Sequence, residues 1–327
     1  MPITKAILNA IKLMLLASLV TPAIASETWP THPVRVVVPY PAGGGVDFVA
    51  RLISLELSKK TGQSFIIENR SGASGTIGAQ TVAQSAPDGY TVLIASPAEV
   101  LVGQIAGQHT PYNPQTDLVP VTLAGETPLA IVVNPATPAK SLSELIALAK
   151  KDPTRLSYGS PGAGSSMQFA GESLNLDAHT SILHVPYKGA APCISDLLGN
   201  QIPMAIVGMP PVITQHKTGK LRILAVTSDH RSSALPDVPA VDELPGFSGY
   251  RFTNWMGVYV PKGTPQSVVD RLAELVGEVV HQSGTHQQLR DQGVEPVGNT
   301  PAEFAQFLQA ERNRYEAVKE KSHIKVN

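Results

Sequence analysis

The chain has 327 residues, of which 43% are hydrophobic, 16% charged and 5% aromatic, with 27 Gly and 28 Pro. This apolar content excludes wholesale disorder, and the length suits two lobes better than one. A formal net charge of −1 leaves no basic field of the kind that holds nucleic acid, so no nucleic-acid partner is expected.

In chain order, the first feature is a leader. Lys5 and Lys12 form a positive start, Leu13 to Val20 is a short apolar run, and Ala23-Ile24-Ala25 supplies the small-x-small pattern that precedes a cleavage point. Ser18, Thr21 and Pro22 interrupt the run well short of the roughly 20 apolar residues that a membrane span needs. Residues 1–25 therefore read as a cleavable signal peptide, which marks the mature protein for export. Removing them takes two lysines and no acids and leaves a net charge of −3.

From Val34 onward, β-rich apolar runs alternate with helical periodicity. Val34 to Val38 reads as a buried strand, Pro39 to Gly45 as a tight loop, and Phe48, Leu52, Ile53, Leu55 and Leu57 as the stripe of a helix from Val46 to Lys60. The pattern repeats with a strand at Ser64 to Glu68, a helix near Ser74 to Ser85 and a strand at Thr91 to Ala95. Further strands are expected near Leu129 to Val133, Leu156 to Tyr158, His184 to Pro186, Met204 to Val207 and Arg222 to Val226, with helices near Pro265 to His281 and Pro301 to Lys319. Such alternation predicts an α/β fold with mainly parallel sheets flanked by helices. Val119 to Thr127 and Leu235 to Tyr250 read as crossings between lobes. The expected division is thus 26–126 with 251–327 as lobe 1 and 127–250 as lobe 2.

In open α/β sheets ligands bind beyond the carboxyl ends of strands, where helix starts present amides. Three loops fit. Pro39 to Asp47 has three glycines that let a ligand approach the backbone, with Asp47 in the first helical turn, either as a cap or as a shaper of the loop. Ser96 sits at a helix N-cap before Pro97, followed by Ala98. Tyr158 to Ser166 carries Ser160, Gly162 and Gly164, with Ser165 and Ser166 placed to cap a helix or to hold an anion. Gly162-Ala163-Gly164 begins like a dinucleotide fingerprint, but Met167 stands where its last glycine belongs, so no nucleotide cofactor is expected.

Enzyme and metal signatures are missing. No histidine pair forms H-E-x-x-H, and Gly246 to Tyr250 approaches G-x-S-x-G but fails at its last position. Cys193 is the single cysteine, so no intramolecular disulfide can form. Its place between Pro192 and Ile194 reads as a packed side chain rather than a nucleophile. No catalytic residue, metal ligand or cofactor is assigned. A secreted hydrolase of the same shape is the rival reading from a different class.

Several ordered blocks carry a resemblance. Val38 to Asp47, Glu68 to Ala79, Ala86 to Thr91, His184 to Gly189, Asp196 to Gly199, Ala234 to Pro239 and Pro261 to Pro265 together resemble the Bug-type periplasmic receptors, the solute-binding component of tripartite tricarboxylate transporters. The resemblance implies a monomeric, two-lobed Venus-flytrap receptor that closes on a small organic acid and presents it to membrane permease subunits. A sensory role beside a membrane signalling protein uses the same closing fold. It further implies a carboxylate grip by backbone amides and hydroxyls. The residues are Tyr40, Ala42, Gly43, Gly44, Asp47, Ser96 and Ala98 from lobe 1 and Ser160, Gly162, Gly164, Ser165 and Ser166 from lobe 2. Tyr187, Gly189 and Met209 are expected near the ligand's far end, and Lys188 serves either ligand contact or a solvated pair. Two positions depart from the pattern: Gln168 stands where the family is expected to show His, and Pro203 where it tends to show an acid.

Overall fold

β1 (Val34–Val38) is a Val-rich run buried at four of five positions, as expected of a central strand covered on both faces. In the computed structural model, which describes residues 29–322 and 324, β1 pairs in parallel with β2 (Phe65–Asn69) on one side and β3 (Thr91–Ala95) on the other. The expected signal peptide lies outside the described residues. A helix, Gly45–Thr61, connects β1 to β2, and a second, Thr76–Ala83, leads to β3.

β4 (Leu118–Val133) is one 16-residue strand, far longer than the five residues legible from the sequence. Pro120 and Pro128 mask it, because proline cannot donate to a ladder. The pairing accommodates the first with register shifts between Pro120 and Thr122 and between Leu123 and Gly125. Its first half pairs antiparallel with β9 (Thr253–Pro261), a buried strand with no counterpart among the sequence expectations. Its second half, Leu129 to Val133, pairs antiparallel with β7 (Met204–Gly208) and β8 (Arg222–Val226).

Beyond β7 the sheet continues in parallel through β5 (Ser157–Ser160) and β6 (Leu183–Pro186). The order is β2-β1-β3-β9-β4-β7-β5-β6, with β8 and the short β10 (Glu295–Pro296) also on β4. Parallel βα units thus occupy the two ends, and the centre, where the chain crosses and returns, is antiparallel.

β4 shows why the sheet has a core on both faces. Leu129, Ile131 and Val133 pack into one apolar cluster, and Ala130 and Val132 into another with Ala205, Val207, Ile223 and Cys193. Cys193 is fully buried, and burial pushes its thiol up to about 12, in keeping with a packing role. The return of the chain is pinned by Arg251, which pairs with Glu126 on β4, with Glu311 of the helix Pro301–Lys321 at 3.3 Å, and with Asp229 at 3.6 Å, while stacking over Phe307. No helix among the described residues is long and apolar enough to cross a membrane.

Candidate functional site

A cavity of about 980 Å³ opens at the carboxyl ends of the strands, between the βα loops of the two sheet halves. On one side it is lined by Tyr40, Ala42, Gly43 and Gly44 and by the first residues of the Gly45 helix; on the other by Ser165 and Ser166 at the start of the helix Ser166–Ala178. Its floor includes Thr127 and Asn254, which face each other across the β4–β9 pairing. None of the lining residues is Asp, Glu, Lys, Arg or His. Lys188 is exposed and does not line the cavity.

The first loop is held from behind. Asp47 is 1% exposed, and its carboxylate accepts from the Gly43 amide (2.8 Å), from Arg51 Nε (2.8 Å) and from Asn69 Nδ2 (2.8 Å). Burial acts to raise the Asp47 carboxyl, but the bonds from Arg51, Asn69 and Gly43 outweigh it and hold it below its ordinary value. Gly43 has φ +88°, a conformation that a side chain would strain. Asp47 therefore shapes the loop, and its own amide and those of Gly45 and Val46 have no intrahelical partner.

Ser96 also stands behind the wall, 4% exposed. Its hydroxyl and amide donate to Glu99 at 2.8 and 2.7 Å, and the Tyr40 hydroxyl donates to the same carboxylate at 2.6 Å. Of this turn only Ala98 lines the cavity. Glu99 is 1% exposed and makes no ion pair among the described residues. Burial raises its carboxyl to about 7 against the pull of these donors.

The second loop is built from neutral groups. Ser165 Oγ donates to the Gly162 carbonyl (2.7 Å) and accepts from the Gln168 amide (3.3 Å), making it a true N-cap. Gln168 Oε1 accepts from the Gly164 amide at 2.7 Å, so this departure from the family pattern fixes the loop rather than facing the ligand space. Ser160, fully buried, sits 2.7 Å from His184 Nε2, and its hydroxyl receives the Gly162 amide at 3.3 Å. Burial lowers His184 to about 4, which keeps it neutral.

The remaining residues named from sequence lie outside the wall. The Tyr187 hydroxyl donates to Asp196 (2.8 Å), the Gly189 amide donates to the Pro161 carbonyl (2.8 Å), and Met209 is fully buried beside Gly293. Their immediate neighbours do line the cavity: Ala190, Ala191 and Ile194 after Gly189, and Gly208, Pro210 and Pro211 around Met209. Asn254 and Met256 on β9, with Gln292 and Val294 before β10, complete it. Once β9 is recognised, the alternation of Asn254 and Met256 onto one face is the signal that finds them.

The family described as "Tripartite tricarboxylate transporter family receptor" matches residues 49–324. Protein BugT of Bordetella pertussis is 34% identical over 304 residues, covering 93% of each chain. A solved structure described as a periplasmic transporter is 36% identical with a TM-score of 0.81, covering 91% of this chain and all of that one. An R. palustris protein solved with adipate is 35% identical with a TM-score of 0.82, covering 91% of this chain and 99% of that one. The chain belongs to the receptor family of the tripartite tricarboxylate transporters.

Proposed function

We propose that the mature chain is a periplasmic receptor that takes a small organic carboxylate into the cavity between the two sheet halves and hands it to the membrane permease of a tripartite transporter. The observation that carries this reading is the pairing of two helix starts, at Gly45 and at Ser166, across one cavity with no charged side chain in its wall. An ion entering such a site loses hydration and needs several hydrogen bonds in return. Main-chain N–H groups at helix starts supply them together with the favourable end of the helix dipole, each charge-assisted bond contributing roughly 1.5–3 kcal/mol net.

The proposed lobes are 26–126 with 251–327, and 127–250, which move about β4 and the return at Arg251. A ligand bridging both loops stabilises the closed arrangement by its differential affinity, and closure is the signal a permease reads. The leader at residues 1–25 and the relatives' periplasmic setting support this compartment. The chain is proposed to act as a monomer.

A thermal-shift screen of organic acids, sugars, amino acids and phosphates, followed by calorimetry, tests the reading. Stabilisation confined to carboxylates is the expected outcome. Stabilisation by another solute class with none by carboxylates contradicts it.

A further inference from the structure

We infer that the preferred ligand carries one carboxylate on an apolar body, as an aliphatic or arylalkyl monocarboxylate does, in place of a second ionised end. This rests on the carboxylate reading above and specifies it.

The inference starts from the helix Pro210–Lys217, which also begins at the cavity. Its first two residues are Pro210 and Pro211, which have no N–H, and the third amide, of Val212, is already donated to the Met209 carbonyl at 3.1 Å. A helix start that would ordinarily receive an anion is here stripped of donors and presents two pyrrolidine rings. The neighbouring helix Ala190–Leu198 keeps the amides of Ala190 and Ala191, but Pro192 removes the next, and the side chains it turns to the cavity are Ala190, Ala191 and Ile194.

Phe48, Met167, Met256 and Val294 continue the same character from other elements. Against this, the donors converge at the Gly45 and Ser166 helix starts, with the neutral side chains of Thr127 and Asn254 on the floor. That gathers the free amides of two helix starts for one desolvated carboxylate, and leaves for a second ionised end the amides of Ala190 and Ala191 and the Gln292 side chain, fewer donors than the paired starts supply. A second placed against Pro210 and Pro211 would lose its hydration without replacement bonds, whereas methylene or aryl groups placed there gain by leaving water.

Calorimetry on protein that has been unfolded, dialysed and refolded, to remove any retained ligand, tests this with butanoate, hexanoate, octanoate, 3-phenylpropanoate, adipate and malate. Hexanoate is expected to bind at least tenfold tighter than malate and tighter than adipate, which has the same number of carbons. From butanoate to octanoate each methylene is expected to tighten binding about fourfold, the equivalent of about 0.8 kcal/mol. Adipate or malate binding as tightly as hexanoate, or tighter, overturns the inference and leaves the carboxylate reading standing. Absence of binding by all six, with another solute class binding, overturns the reading itself.

Discussion

The two walls of the cavity solve one problem with opposite chemistry. In the β1–β3 half, the loops that line it are fixed from behind by buried carboxylates, Asp47 on Gly43 and Glu99 on Tyr40 and Ser96. In the β5–β7 half, the equivalent work falls to neutral groups, Gln168 on Gly164 and the Ser160–His184 pair. Neither half turns a charged side chain to the cavity. Both walls are thus neutral toward the cavity, and the carboxylates behind the first are handled in two ways. Asp47 is offset by Arg51, whereas Glu99, which makes no ion pair among the described residues, has its ionisation partly suppressed by burial.

The largest effect is expected where the halves meet. Arg251→Met leaves Glu126 without its cation and Glu311, 1% exposed, with Arg314 and the Trp255 indole as its partners, and stability should fall by about 2 kcal/mol or more in denaturant unfolding. A loss below about 1 kcal/mol would show that the cluster does not hold the crossing together.

The walls should next separate by pH. Glu99 has a folded pKa of about 7, raised above the ordinary value of 4.5, so it binds more protons folded than unfolded. Its stabilising contribution is complete below about 4.5 and is lost as pH rises to about 7. His184 is lowered to about 4 from 6.5, so its contribution is complete above about 6.5 and is lost as pH falls toward 4. Between about 4.5 and 6.5 the two slopes oppose. Glu99→Gln should leave stability rising with pH over that window, and His184→Gln should leave it falling, each change amounting to at most about 3 kcal/mol across the range. Identical slopes in both variants would erase the contrast between the walls.

The smallest effect belongs to the cap. Ser165→Ala should lower stability by about 1 kcal/mol, measured by chemical denaturation. Because its hydroxyl proton is given to Gly162, any loss of ligand affinity in this variant comes through the shape of the loop.

The alternation of Val-rich strands and amphipathic helices made the α/β class and most element positions legible, and Ser165 was readable as a cap because local spacing determines capping. Local signals also pointed to loops that border the cavity, but not to which of their atoms line it. Ser96, Ser160 and Met209 belong to turns that border the cavity, yet which way a side chain faces depends on burial against Glu99, His184 and Gly293, partners far along the chain or, for Glu99, not marked as such by any motif. β9 was hidden because Asn254, Gly257 and Pro261 dilute its apolar run, and with it went Asn254 and Met256. Gln292 and Val294 reach the cavity through long-range topology, which leaves no trace in a single sequence.

On the proposed reading, main-chain donors at two helix starts hold the ligand's carboxylate. Amide chemical-shift mapping of nitrogen-15-labelled protein titrated with hexanoate tests it most directly. The largest downfield amide-proton shifts are expected at Gly45, Val46, Ser166 and Met167, on both sides of the cavity. Saturable binding that leaves those amides unmoved while shifts cluster elsewhere would contradict it.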